Sequence, residues 1–201
     1  MFKISAVVLA AGLSSRMGRD KLMLEIAGKR VIDYVTAAVD GANFYEKIIV
    51  TKDKALHLPN QNWIMAANPK FASGQSSSVV IGTKFASEDT DALMFLPADM
   101  PALESRHLSA LMDFFAAEPY NIARPVYMGN PCSPVIFPKS FRDELMNLTG
   151  DTGGRPILRA HFNEIRHMPA AEEAYSLDMD SEEDYINMKK YMEMRIKNVG
   201  S

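Results

Sequence analysis

Apolar and polar positions follow two periods along this chain, and the switches between them lay out its elements. Ile4 to Leu9 is a continuous apolar run with Val7 and Val8 adjacent, the pattern of a central strand buried on both faces. A Gly/Ser/Arg loop follows from Gly12 to Gly18. Val31, Tyr34, Val35, Ala38 and Val39 then fall at helical spacing between Val31 and Val39. Lys47 to Thr51 is a second β-branched run, and Trp63 to Ala66 predicts a third strand ended by Asn68-Pro69. Ser76 to Ala86 is helical in pattern after Gly74-Gln75. Asp91 to Leu96 predicts a strand stopped by Pro97 and Pro101, and Leu103 to Ala117 a helix. Ile122 to Tyr127 and Pro134 to Phe137 predict later strands, Ser140 to Leu148 a short helix, Ile165 to Met168 a final short strand, and Glu182 to Lys197 a charged amphipathic helix.

Strands and helices alternate through the first half, so the expected fold class is α/β, with a Rossmann-like, doubly wound, mostly parallel sheet and right-handed crossovers. The Pro-rich region from Pro119 to Pro138 breaks the alternation and predicts an antiparallel edge. No internal repeat, low-complexity tract or linker interrupts the chain, so residues 1–201 are expected to form a single domain.

Charge narrows the function classes. A net charge of −3 offers no basic footprint for nucleic acid and no basic face for a membrane, so neither partner is expected. Any phosphate must be held locally, by loops and a few cations. The single cysteine, Cys132, cannot form an internal disulfide, and His57, His107, His161 and His167 are scattered rather than clustered for zinc. Lys3 ahead of the first apolar run is reminiscent of a short signal peptide, but the run is short and a helical pattern follows. No stretch reaches the ~20 apolar residues that span a bilayer. A cytoplasmic protein is expected.

Three polar motifs fall directly after predicted strands, where open α/β sheets place their ligands. The first is Leu9-Ala10-Ala11-Gly12-Leu13-Ser14-Ser15-Arg16-Met17-Gly18, with Lys21 close behind. Small residues let backbone N–H groups approach a phosphate chain, and Arg16 and Lys21 can neutralise it. The loop is neither a Walker A sequence nor Gly-x-Gly-x-x-Gly. A plain strand-to-helix turn with a solvated basic edge explains the spacing equally well. The second is Leu96-Pro97-Ala98-Asp99-Met100-Pro101, whose acid at a strand end suits Mg²⁺ or, as the alternative, a cap for the next helix. The third is the loop from Gly129 after Tyr127.

Asp178-Met179-Asp180-Ser181-Glu182-Glu183-Asp184 reads in part as a helix cap by Asp180 or Ser181. Asp178 and Asp180 alternate on a strand-like segment, so one of them can complete a two-carboxylate metal site with Asp99. Asn68 to Ser78 precedes a helix and is rich in donors for a base or ribose. Gly150-Asp151-Thr152-Gly153-Gly154-Arg155 is similar to an anion nest with an Arg fork, and ordinary capping turns are the alternative for both. The fourteen methionines, Met188, Met192 and Met194 among them, are expected to fill core gaps, with a Met-rich docking surface as the alternative.

Together these residues resemble the molybdenum cofactor nucleotidylyltransferases of the wider NTP-transferase superfamily. The landmarks are Leu9-Ala10-Ala11-Gly12 to Gly18 with Lys21, Asn68-Pro69 to Gly74-Gln75, Leu96 to Pro101, Gly150-Asp151 to Arg155, and Asp178-Met179-Asp180. The resemblance implies a fold of the nucleotide-diphospho-sugar transferase type, Mg²⁺, and attack by an acceptor phosphate on the α-phosphorus of an NTP with release of pyrophosphate. It implies Arg16, Lys21 and Asp99 as catalytic residues. Leu9, Ala10, Ala11, Gly12, Arg16, Lys21, Gly74, Ser76 and Asp99 would contact the nucleotide, Asp99 and Asp180 the metal, and Asp151 and Arg155 the acceptor. Ala10-Ala11-Gly12 is similar to the cytidylyl-transferring branch, where the guanylyl branch usually has Ala-Gly-Gly. The methyl of Ala11 is therefore expected to crowd a purine and admit a pyrimidine.

Many cytidylyl relatives carry Gly-His-Pro where this chain has Cys132-Ser133-Pro134, so the acceptor pocket departs from the pattern there. The favoured substrates are CTP and molybdopterin cofactor, with a molybdoenzyme or its chaperone as recipient. The alternatives are a sugar or polyol phosphate as acceptor, and a non-catalytic carrier of nucleotide or cofactor.

Overall fold

The computed structural model describes residues 2–12, 18–52 and 56–199. The elements run β1 (Ile4–Ala10), β2 (Glu25–Ile26), β3 (Lys29–Arg30), α1 (Val31–Asp40), β4 (Glu46–Thr51), β5 (Ile64–Ala67), α2 (Gln75–Phe85), β6 (Ala92–Pro97) and α3 (Ser105–Ala117). They continue β7 (Ile122–Tyr127), β8 (Asn130–Pro131), β9 (Val135–Pro138), α4 (Arg142–Met146), α5 (Arg155–Ala160), β10 (Ile165–Pro169) and α6 (Glu182–Val199).

Eight strands make one sheet in the order β5-β4-β1-β6-β9-β7-β10, with β8 against β7. β5, β4, β1 and β6 are parallel neighbours, as the alternation of strands and helices predicts. The helices divide between two faces. Ile4, Ala6, Val8 and Ala10 of β1 point into one core with α1, α3 and the α6 methionines Met188 and Met192, while Met194 lies on the exposed face of α6, which corrects its expected place in the core. Val7 and Ala11 point into the other with Val79 of α2, Leu145 of α4 and Ile157 of α5. Both faces of β1 are thus covered, which is why its sequence is an unbroken apolar run. Among the described residues no helix is long and apolar enough to cross a membrane.

The antiparallel strand is not at the edge. β9 lies inside the sheet, antiparallel to β6 on one side and to β7 on the other, and the edge is β10, parallel to β7. The cause is local. Met128 and Gly129 both take positive φ, 47° and 81°, and close a two-residue turn in which Tyr127 pairs with Asn130. That turn sends the chain straight back beside β7, whereas β10 returns only after α4 and α5 and so runs parallel.

α2 approaches β1 closely because it carries glycine at position 82. A Cβ there would overlap Val7 Cγ1 and lie 3.3 Å from Val50 Cγ2. Val7 and Val50 are fully buried and cannot retreat. Gly82→Ala should therefore lower stability by about 1–3 kcal/mol through overpacking. That loss outweighs the ~1 kcal/mol that Ala gains over Gly inside a helix. Equilibrium urea unfolding of the two proteins checks the sign: a more stable variant would show that α2 has room to move.

Candidate active site

Three distant segments meet at the carboxyl ends of β1 and β6. Here the chain leaves β1 for β4 on one side and later returns as β6 on the other, the switch point at which such sheets bind ligands. The Ala98 N–H donates to the Leu9 carbonyl at 3.2 Å, carrying the β1–β6 pairing past the strand end and setting Asp99 beside the loop that follows β1. In that loop Asp20 Oδ1 accepts the Leu22 N–H at 3.1 Å and starts a single 3₁₀ turn, Lys21–Met23. Leu22 is buried in the core and anchors the turn that presents Lys21.

The third segment leads into α6. Ser181 caps that helix: its hydroxyl accepts the Asp184 N–H at 3.2 Å, while Asp184 Oδ2 accepts the Ser181 N–H at 2.7 Å. Residues 177–180 are irregular rather than strand-like, which corrects the expected alternation of Asp178 and Asp180. Met179 is fully buried and pins the segment between them. Arg19 clamps Glu182 with two bonds of 2.6 and 2.7 Å, and the Tyr185 hydroxyl donates to the Glu25 carbonyl at 2.7 Å. These bonds draw the start of α6 against the loop after β1.

Lys21 is the meeting point. Its Nζ lies 2.5 Å from Asp99 Oδ2 and 2.9 Å from Asp180 Oδ1. The Lys21 and Asp99 side chains are only 13% and 15% exposed, so this pair is shielded from solvent. Burial by itself would depress the Lys21 ammonium, but Asp99 and Asp180 outweigh it and hold it above its ordinary value. Burial raises the Asp178 carboxyl, and the charges of Asp99 and Asp180 raise it further. Lys21 thus bonds two carboxylates, and its charge also reaches Asp178.

Asp99 Oδ1 is buried without a hydrogen-bond partner among the described residues. A buried carboxylate oxygen left unpaired is costly, and a hard cation is the ligand that suits it. Among the described residues no group of three or more acidic, His or Cys side chains converges as a complete cage. Mg²⁺ commonly takes one or two carboxylates, with substrate phosphates and water completing its shell. Asp99 and Asp180 fit that description. The alternative role for Asp99, a helix cap, is not its role here: α3 begins at Ser105, with Glu104 at its cap position.

The remaining expected site residues divide into two groups. Leu9 is half-buried at the end of β1, Ala10 and Ala11 are buried, and Gly12 is exposed beside open space at the rim of the site. The Ala11 methyl packs in the core on the α2 side, so it offers no exposed bump to a base; this corrects the steric reading of that position. Arg16 lies outside the described residues.

Gly74, Ser76, Asp151 and Arg155 form the second group. Gly74, at φ 108°, passes so close to Asp151 that a Cβ would sit 2.6 Å from its Cα. Asp151 Oδ1 accepts the Gln75 N–H at 3.0 Å, capping α2 from a loop far along the chain. Ser76 is buried and donates to the Gly153 carbonyl at 3.3 Å. The two donor-rich loops thus form one wall. Asn68 is also buried, its amide donating to the Ser77 and Ser78 hydroxyls at 2.9 and 3.0 Å.

One residue escaped the sequence reading. Arg124, in the middle of β7, donates through Nε and Nη2 to the Cys132 carbonyl at 3.2 and 3.0 Å. The available signal was an arginine inside an otherwise apolar strand.

Residues 6–165 match the family described as MobA-like NTP transferase domain. The purine catabolism protein PucB of Bacillus subtilis is 28% identical over 92% of this chain and 96% of its own length. The molybdenum cofactor cytidylyltransferase of Escherichia coli is 26% identical over 94% and 97%. A probable molybdenum cofactor guanylyltransferase of Natranaerobius thermophilus is 28% identical over 63% and 62%. Among solved structures, Rv0371c of Mycobacterium tuberculosis superimposes with a TM-score of 0.79 at 21% identity, covering 94% of this chain and 98% of its own. Its complex with manganese gives 0.76 at 20% identity, over the same shares of the two chains.

The segment from β10 to Asp180 is held by charge. Glu172 pairs with Arg106, Nη2 to Oε2 at 2.7 Å, and lies 3.1 Å from the buried His107 Nε2. The Tyr175 hydroxyl donates to the His107 carbonyl at 2.9 Å. The Arg106 bonds pull the Glu172 carboxyl from its ordinary 4.5 down to about 2, against a smaller opposing effect of burial. A carboxyl held low when folded stabilises above its unfolded pKa and loses that contribution as pH falls through its folded pKa. The stability gap between the parent and Glu172→Gln should therefore be full above pH about 4.5 and close as pH falls toward 2. Urea midpoints across that range measure it, and a gap independent of pH would mean that the pair contributes nothing through its charge.

Proposed function

The chain belongs to the MobA-like NTP transferase domain family and is a nucleotidyltransferase, and from that premise we propose that it transfers CMP from CTP to the terminal phosphate of molybdopterin cofactor. The observation that carries the site assignment is Asp99, with one oxygen on Lys21 and the other buried without a partner among the described residues. The cytidylyltransferase of Escherichia coli, similar over nearly the whole of both chains, supports the choice of nucleotide and acceptor. The manganese complex of Rv0371c supports a divalent cation, for which Mg²⁺ is proposed here. The single-domain reading of residues 1–201, a cytoplasmic location and delivery of product to a molybdoenzyme or its chaperone belong to the same proposal.

In this reading Asp99 and Asp180 hold the cation. When bound, it supplies positive charge against the crowded phosphates of the nucleotide. Lys21 and Arg16 neutralise the triphosphate. The backbone at Gly12 lets the phosphate chain approach the end of β1. An oxygen of the acceptor phosphate attacks the α-phosphorus, forming a new P–O–P link, and the bond to the β-phosphate breaks to release pyrophosphate. The chemistry needs no covalent nucleophile from the protein, only positioning and a fixed field of charge. The wall formed by Gly74–Ser76 and Asp151–Arg155 holds base, ribose and acceptor.

Asp99→Asn should abolish turnover while leaving the fold intact, because an amide cannot replace the charge that binds the cation. Lys21→Ala and Arg16→Ala should each lower kcat/KM by at least ~100-fold, the loss expected when a preorganised charge facing the transition state is removed. Pyrophosphate release under saturating Mg²⁺ measures all three. Asp99→Asn activity within a few-fold of the parent would remove the metal assignment, and unchanged kcat in both cation variants would make them simple binding residues.

A screen of CTP, GTP and ATP, with molybdopterin cofactor, sugar phosphates or no acceptor, tests the substrates. CTP should give the highest kcat/KM, and only with molybdopterin cofactor. Because the Ala11 methyl is buried, Ala11→Gly should leave the CTP-to-GTP ratio nearly unchanged. A preference for GTP would overturn the nucleotide, and release of pyrophosphate with a sugar phosphate alone would overturn the acceptor.

A further inference from the structure

The first turn of α2 and the loop at 150–155 are built as one piece. α2 starts at Gln75, and Gly74 at its cap position has no side chain to satisfy the free N–H groups of that turn. Asp151 takes the place from 76 residues away, its Oδ1 accepting the Gln75 N–H at 3.0 Å. Behind this bond the buried Ser76 hydroxyl donates to the Gly153 carbonyl at 3.3 Å. A Cβ on Gly74 would lie 2.6 Å from both the Asp151 Cα and the Gly150 carbonyl oxygen, and one on Gly153 would lie 2.8 Å from Gln75 Oε1. The two stretches of backbone leave no room for a side chain between them.

The far end of the loop is fixed as well. A Cβ on Gly154 would lie 3.2 Å from the Phe137 ring of β9, and Ile157 of α5 is buried in the core that also holds Val79 of α2. The loop is bolted between α2 and β9, and Asp151 stands at its α2 end.

The cap continues inward. The Ser77 hydroxyl donates to the Gly74 carbonyl at 2.7 Å and accepts from the Asn68 amide at 2.9 Å. Asn68 is fully buried, and its Oδ1 accepts the Lys70 N–H at 3.0 Å. The donor-rich loop from Asn68 to Ser78 thus runs from a buried amide to the Asp151 carboxylate. That carboxylate suits the positive end of a helix, whereas it repels the phosphate of an acceptor.

We propose that Asp151 is a positioning residue for the nucleotide and not a contact of the acceptor. By capping α2 it fixes the loop from Asn68 to Ser78, against which base and ribose lie. This rests on the placement of base and ribose proposed above.

CTP and GTP, each with Mg²⁺ and without acceptor, are titrated calorimetrically into the parent, Asp151→Asn and Asp151→Ala. Asp151→Ala should weaken the better-bound nucleotide by about 5- to 10-fold, the scale of a lost N-cap. Asp151→Asn should stay within about 2-fold of the parent, because Asn caps as well as Asp and its amide oxygen can still accept the Gln75 N–H. In turnover, Asp151→Ala should raise the nucleotide KM by the same factor and leave the acceptor KM unchanged. A rise in the acceptor KM alone overturns the proposal and restores an acceptor contact. An Asn variant as weak as Ala overturns it too, since charge and not the capping bond would then matter.

Gly74→Ala, which forces the same loops apart, should also weaken the nucleotide. Adding Asp151→Ala to it should cost little more, because both changes act through one contact; full additivity overturns the shared contact. Urea unfolding separates positioning from stability alone: an Asp151→Ala protein that is less stable yet keeps the parent's nucleotide affinity overturns the role. A parent that binds neither nucleotide overturns it as well. A parent that binds nucleotide but transfers it to no phosphorylated acceptor defeats the proposed reaction, and the titrations still decide what Asp151 does.

Discussion

A single ammonium group holds the site together. Lys21 bridges Asp99, which follows β6, and Asp180, which leads into α6. Asp99, Asp178 and Asp180 gather at one end of the sheet, and their mutual repulsion opposes bringing these segments together. With the ammonium, the segments stay together while Asp99 Oδ1 has no hydrogen-bond partner among the described residues. The same feature that binds three remote pieces of chain leaves a place suited to a second cation.

Everything else keeps that bridge in register. Asp99 is set by the β1–β6 pairing, extended by the bond from Ala98 to Leu9. Lys21 is set by a buried Leu22 and a cap from Asp20. Asp180 is set by a buried Met179, by the Ser181–Asp184 cap and by the Arg19–Glu182 clamp, with Glu172 and Tyr175 tethering the approach from β10 to α3. Each device is modest, and surface ion pairs contribute little singly. Their effect here is positional, because they act on one short segment from both sides.

Charge is distributed by function rather than spread evenly. Asp99, Asp178 and Asp180 gather past the ends of β1 and β6, while Arg124 on the β7 side donates to the neutral Cys132 carbonyl. The net charge of −3 hides this division.

The alternation of strands and helices, the central strand at Ile4 to Leu9 and the acid after β6 were legible in the sequence, because each is a local consequence of burial and side-chain period. The motif order was enough for the family. What the sequence left open were the non-local relations. Alternation could not tell that β9 enters the sheet between β6 and β7, since that follows from the tight turn at Met128-Gly129. Nor could spacing show that the Ala11 methyl faces the core, that Asp151 caps α2, or that Lys21 pairs with both metal-site candidates. Lys21 and Asp99 are 78 residues apart in sequence and meet only where the loop after β1 and the end of β6 are brought side by side. Sequence period decides which face a residue takes; which residues then share that place is decided by packing, where charges far apart along the chain first feel one another.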